Sequence, residues 1–288
     1  MKTSEVIDFG SRLLRKANIN SNRIDSEVLL SHILKINRER LLVHESKLSL
    51  KDISKFNKMI LRRLKKEPIA YIIKKKEFRS KDFFVSKNSL IPRPETELLI
   101  DPILKLFKNK RLFFLDVGIG TGCITYSILN ELSDSRGIGI DICKKATSIA
   151  KINLKKFLIR NRVKLESLSI DQVFNKKFDL VISNPPYIVK REINQLSEDI
   201  KKFEPQKALN GGNDGLDVIK KVIYKSKNIL KLNGILALEI GTGQYISVTR
   251  ILKQNGFREF KKIKDYNDNV RCIFSTLLWK KTKIWKKN

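Results

Sequence analysis

Asn184-Pro185-Pro186-Tyr187 is the stretch of this chain with the most sharply defined chemical capability. The side-chain carbonyl of Asn184 accepts hydrogen bonds, and the two prolines fix φ and lack amide protons, which leaves the Pro185 carbonyl rigid and available. Tyr187 adds a flat face for stacking. Two acceptors at fixed positions suit a planar nitrogen bearing two hydrogens, such as a carboxamide or an exocyclic amine. The lone pair of such a nitrogen is delocalised, so it attacks an electrophile only when it is held in line and the developing positive charge is accommodated. Asn184 and Pro185 are therefore the candidate catalytic residues, and Asn184, Pro185, Pro186 and Tyr187 the candidate substrate-binding set. A dedicated base is not required, because the proton turns acidic only after the nitrogen has reacted. A double proline after a strand also makes a plain rigid turn, so the reading depends on what lies upstream.

Upstream, the apolar run Leu112-Phe113-Phe114-Leu115 leads into Asp116-Val117-Gly118-Ile119-Gly120-Thr121-Gly122, and a helix opens at Cys123-Ile124. Glycines let the backbone turn tightly and approach a ligand closely, and the helix start offers free amides. A second strand ends in Gly137-Ile138-Gly139-Ile140-Asp141, which places a carboxylate where nucleotide-binding folds meet ribose hydroxyls. The candidate cofactor-binding residues are thus Gly118, Ile119, Gly120, Thr121, Gly122 and Asp141, with Asn184 at their edge. The spacing is Gly-x-Gly-x-Gly rather than Gly-x-Gly-x-x-Gly, with an acid closing the preceding strand, and in this it resembles the class I methyltransferases. That resemblance implies S-adenosyl-L-methionine as cofactor, released as S-adenosyl-L-homocysteine, with the glycine loop on its amino-acid moiety and Asp141 on its ribose.

These residues need a sheet to hold them. From Leu112, short β-rich runs alternate with helical stretches: Leu112–Leu115, Gly137–Ile140, Val163–Leu165, Phe178–Ile182 and Gly234–Ile240. Such alternation predicts an α/β, Rossmann-like, mostly parallel sheet with helices on both faces. Phe257–Phe260 and Val270–Leu278 lack an intervening helix and predict a C-terminal antiparallel hairpin, followed by a basic, fraying tail from Trp279. Residues 1–66 predict a small helical bundle, with apolar stripes at Val6, Phe9, Leu13, Ala17 and at Ile53, Phe56, Met59, Ile60, Leu64, the latter opened by Ser49 and Asp52 as a capping pair. Ile69–Ile73 and Phe83–Val85 predict two strands of a hairpin linker. The expected domains are therefore 1–66, a helical recognition domain; 67–90, a β-hairpin linker; and 91–288, the cofactor-binding domain.

A length of 288 residues accommodates one α/β domain and a smaller companion. No apolar run approaches the roughly 20 residues that span a bilayer, and the first residues lack an apolar secretory core, so a cytoplasmic protein without a membrane span is expected. Three cysteines, Cys123, Cys143 and Cys272, are too few and too scattered for a disulfide framework or a four-ligand zinc site, so no metal is expected. His32 and His44 belong to no nucleophile–base arrangement. The formal charge of +30 would attract RNA or the ribosome weakly. The abundance of lysine, isoleucine and asparagine throughout is equally what an AT-rich genome produces.

Beyond the motifs, the chain resembles the protein-(glutamine) N-methyltransferases that modify peptide chain release factors. The resemblance is carried by Arg23–Leu30, Glu67–Tyr71 with Glu77-Phe78, Ile91–Glu97, Asn184–Tyr187, Glu204-Pro205 with Gly212–Leu216, and Glu239-Ile240-Gly241 with Gln244. It implies methylation of the glutamine of a Gly-Gly-Gln tripeptide in a release factor, with docking helped by the helical N-terminal region; a monomer is expected. Three departures are Ile119 where a small or hydroxylic residue is usual, the absence of an acidic-aromatic pair within 166–171, and Pro102, which suggests a kink in the helix after the Ile91 motif. The competing readings are a DNA or RNA amino-methyltransferase acting on adenine or guanine, which shares Asn184–Tyr187, and a basic binding protein that has lost catalysis.

Overall fold

Ser49 accepts a hydrogen bond from the Asp52 amide and opens the helix Leu50–Leu64, as the capping pair predicts. Before it come helices Thr3–Lys16, Asn22–Leu34 and Arg38–Val43. In Thr3–Lys16 the buried face runs through Val6, Ile7, Gly10 and Leu14, whereas Phe9, expected in the apolar stripe, is exposed. Gly10 explains the rotation. A Cβ there would stand 2.6 Å from both Phe56 Cζ and Ser26 Oγ, so the helix turns its least bulky strip onto its neighbours. Buried Asp25 and Arg63 pair at 2.7 Å beneath this bundle.

The computed structural model describes residues 1–278, and the basic tail expected from Trp279 lies outside the described residues. Two compact units emerge: Met1–Lys75 with Ser197–Phe203, and Lys76–Leu196 with the described residues from Glu204 onward. Ile69–Ile73, expected as a strand, is instead a short helix that follows Pro68 and ends at Lys74 in the left-handed conformation, φ 58°. A five-residue apolar run between charged flanks fits either state by periodicity alone. The hairpin starts after it, as β1 (Lys75–Phe78) and β2 (Lys81–Phe84). Arg79 and Ser80 form its two-residue turn with φ of 46° and 56°, a twist that suits tight hairpins.

The main sheet has seven strands: β3 (Phe113–Val117), β4 (Arg136–Ile140), β5 (Val163–Glu166), β6 (Phe178–Ser183), β7 (Leu230–Glu239), β8 (Phe257–Lys264) and β9 (Val270–Leu277). Their order is β5-β4-β3-β6-β7-β9-β8. β3 to β7 pair in parallel, and β9 is antiparallel to both β7 and β8. Two apolar layers cover its faces, one including Phe83, Ile103, Phe114 and Leu154, the other Leu115, Phe178, Ile219 and Val248. From β3 the chain adds β4 and β5 on one side and then crosses back to lay β6 on the other, so the carboxyl ends of β3 and β6 meet at the topological switch point. Pro102 does not interrupt a helix. It lies in the first turn of Ile100–Leu106, behind a 3₁₀ turn at Pro94–Leu99, where a missing N–H removes no helical bond.

Candidate active site

Val117 pairs with Ser183 in the β3–β6 register, and the Ser183 hydroxyl donates to the Val117 carbonyl at 2.7 Å. The two strands therefore end level, and the residues that follow, Gly118 and Asn184, are neighbours: a Cβ on Gly118 would stand 3.9 Å from the Asn184 carbonyl oxygen. Gly118, Gly120 and Gly122 have φ of 80°, 53° and 80°, conformations that a residue with a Cβ adopts only under strain. Gly118 is exposed, Gly120 half-buried, and Gly122 caps the helix Cys123–Glu131.

The Asp141 carboxylate ties this turn to the next one, accepting from the Gly120 amide at 3.1 Å and the Cys143 amide at 2.9 Å. Burial raises its pKa, against the pull of those two amides. Asp116, wholly buried at the end of β3, is pushed up to about 7, chiefly by burial and further by the negative charge of Asp141, while the Thr125 hydroxyl, donating at 2.6 Å, works the other way. Its Oδ1 has no hydrogen-bond partner. Two neighbouring carboxylates, one with an orphaned buried oxygen, beside an open glycine turn form a place that fits a ligand bearing a cation and hydroxyl groups.

Ile119 and Thr121 contribute differently from the glycines. The Ile119 side chain is buried and packs over Gly139, whose Cβ would collide with it at 2.1 Å. Only its backbone belongs to the turn, and its amide donates to the Ile140 carbonyl at 2.9 Å. A branched residue fits there because β4 supplies a glycine beneath it. Thr121 is buried too, and its carbonyl accepts from Asn153 Nδ2 at 2.9 Å.

On the other side of the switch point, Asn184 donates from Nδ2 to Thr96 Oγ1 at 3.0 Å. The Thr96 hydroxyl donates to Glu239 Oε2 at 2.7 Å. The Tyr187 hydroxyl donates to Glu239 Oε1 at 3.3 Å and accepts from Arg271 at 2.9 Å, and the Arg271 guanidinium stands 5.2 Å from the Tyr187 ring centre. Burial lifts the Tyr187 hydroxyl to about 12 and the Glu239 carboxyl to about 7. Pro185 is buried and Pro186 half-buried. Gln244 fastens the far end of the segment, donating to the carbonyls of Tyr187 at 3.0 Å and Gly215 at 3.1 Å. Thr96, Glu239 and Gln244 fall in segments that carry the family resemblance but have no place among the site residues expected from the sequence, and Arg271 falls in none of those segments. Glu239 carries a visible signal, an acid closing an apolar strand as Asp116 does, and Arg271 is a charge at the start of an otherwise buried strand.

Residues 5–73 match the family model described as PrmC N-terminal domain, and residues 94–202 match the one described as Methyltransferase small domain. A solved methyltransferase structure from Pyrococcus furiosus is similar in fold, with a TM-score of 0.52 at 17% identity, covering 77% of this chain and 98% of that one. Strand order, glycine turn and strand-end residues define a class I methyltransferase. The release factor glutamine methyltransferase of Clostridium acetobutylicum is 36% identical over 280 residues, 96% of this chain and 98% of that protein. That of Buchnera aphidicola subsp. Schizaphis graminum is 41% identical over 254 residues, 88% and 91%. The chain belongs to the release factor glutamine methyltransferase family.

Proposed function

We propose that this chain transfers the methyl group of S-adenosyl-L-methionine to the side-chain amide nitrogen of the glutamine in the Gly-Gly-Gln segment of peptide chain release factors. The observation that supports this most is the placement of Asn184 directly beside Gly118, so that a nitrogen gripped after β6 adjoins a ligand seated on the turn after β3. Likeness to glutamine methyltransferases over nearly the whole chain favours a carboxamide over a base.

When bound, S-adenosyl-L-methionine supplies an electrophilic methyl on a sulfonium. The glycine turn, which has no Cβ at Gly118, Gly120 or Gly122 to bar a close approach, and the orphaned Oδ1 of Asp116 suit its amino-acid end, and the half-buried Asp141 suits ribose hydroxyls. On the substrate side, Asn184 Oδ1 and the Pro185 carbonyl accept the two amide hydrogens. They fix the nitrogen in line and stabilise the positive charge that grows on it. The Tyr187 ring, its hydroxyl held by Glu239 and Arg271, backs the amide plane. The departing proton is acidic by then, so no buried base is needed.

Residues 1–66 serve in this reading as a docking domain, because a Gly-Gly-Gln loop offers little surface and remote contacts must supply binding energy. The enzyme acts as a cytoplasmic monomer. A second reading, a DNA or RNA amino-methyltransferase, draws on the net charge of +30. Radiolabelled methyl transfer to purified release factor, duplex DNA and RNA separates them. Label entering the release factor alone is expected, and label entering nucleic acid alone would replace this reading with the second.

A further inference from the structure

The hydrogen bonds beneath Asn184 all point one way. Glu239 closes β7 and is fully buried. Both of its oxygens accept: Oε2 receives the Thr96 hydroxyl, and Oε1 receives the Tyr187 hydroxyl and, at 3.5 Å, Arg271. Thr96, itself buried, has one proton, and that proton goes to Glu239. Its oxygen is left with lone pairs alone for the Asn184 amide 3.0 Å away. The group of Asn184 that faces Thr96 must therefore be the NH₂, and Oδ1 must point away from Thr96.

We propose that Thr96, held by Glu239, is a positioning residue that locks the Asn184 amide with its oxygen presented to the substrate. Asparagine amides have almost the same shape with N and O exchanged. Without the lock, a half-turn about the last side-chain bond would set an NH₂ donor against the NH₂ of the substrate. The lock removes that unproductive state before substrate arrives. It rests on the reading that Asn184 grips a carboxamide, yet it makes a claim about the free enzyme that needs no substrate.

Two measurements test it on the full chain. In the first, ¹⁵N-asparagine labelling reports the Asn184 side-chain amide, assigned by its loss in Asn184→Ala. One downfield, exchange-protected proton is expected in wild type and in Thr96→Ser, and its loss in Thr96→Val. An unperturbed, freely exchanging NH₂ in wild type overturns the proposal, and this readout stands even if Thr96→Val does not fold. In the second, kcat and KM are measured on a Gly-Gly-Gln release factor. Thr96→Val should lower kcat on the order of 100-fold, the scale of a misoriented reacting group, while cofactor affinity is unchanged and Thr96→Ser restores most of the rate. Equal loss in the valine and serine variants, or none in the valine variant, overturns the proposal. A wild type silent on release factor but showing the protected proton refutes the functional reading and leaves the lock standing.

Discussion

Replacing Asp116 by Asn should remove a loss of stability that the wild-type enzyme suffers as pH rises through neutrality. Asp116 is wholly buried, without an ion pair among the described residues, and its carboxyl is pushed up to about 7 from an ordinary value of 3.8. Its pKa is higher in the folded than in the unfolded chain, so the folded state holds the proton more tightly and stability is lost as pH rises through the folded value. At pH 5 the unfolded chain is already ionised while the folded one is protonated. From there to the folded pKa is roughly two pH units at about 1.4 kcal/mol each, so this carboxyl removes roughly 2–3 kcal/mol of stability between pH 5 and pH 8. Asn keeps an oxygen for the Thr125 hydroxyl that Asp116 accepts at 2.6 Å and cannot ionise. Its NH₂ replaces the orphaned Oδ1 and carries a pH-independent penalty of about 1–3 kcal/mol if unpartnered. The pH dependence, not the absolute difference, is therefore the test. Urea unfolding of both proteins at pH 5, 6, 7 and 8 should show the variant gaining roughly 2–3 kcal/mol on wild type across the range, with any titration of Glu239 cancelling because both proteins retain it. A difference constant with pH, or one that runs the other way, would refute the electrostatic account of this residue.

Asn184→Ala should abolish methyl transfer and leave cofactor affinity within a few fold, as calorimetry on a folded variant would show; loss of both together contradicts the division between a substrate-facing β6 end and a cofactor-facing β3 end. Asp141→Ala should weaken cofactor binding by on the order of 1–3 kcal/mol through lost hydrogen bonds to a charged acceptor, and calorimetry giving unchanged affinity would place the hydroxyl partner elsewhere. Gly10→Ala should lower helical-unit stability by about 1–3 kcal/mol through overpacking against Phe56 and Ser26; an unchanged Tm would mean that the helices carrying Phe56 and Ser26 give way without penalty.

The parallel core was legible because buried strands read as short apolar runs divided by helix-length spacers, and β3, β4 and β6 lie where those runs fall. Asn184 and the glycine turn were legible because each carries its chemistry in adjacent residues. What was not legible depends on contacts remote along the chain. Thr96 meets Asn184 across 88 residues and Glu239 across 143, so no local spacing reveals that the three form one hydrogen-bonded chain. The buried face of the first helix passes through Gly10 rather than Phe9 because Phe56 decides it, and apolar periodicity cannot register a missing side chain as a contact. Ile119 looked like a departure in the turn until Gly139 supplied the space beneath it. Ile69–Ile73 carried no period long enough to separate a helical turn from a strand.

Tandem mass spectrometry of a release factor incubated with this enzyme and S-adenosyl-L-methionine tests the central claim most directly. The mass of one methyl group is expected on the side-chain nitrogen of the glutamine in Gly-Gly-Gln, present with wild type and absent with Asn184→Ala. A methyl group on any other residue of the factor, or on this glutamine to the same extent with Asn184→Ala, would contradict it.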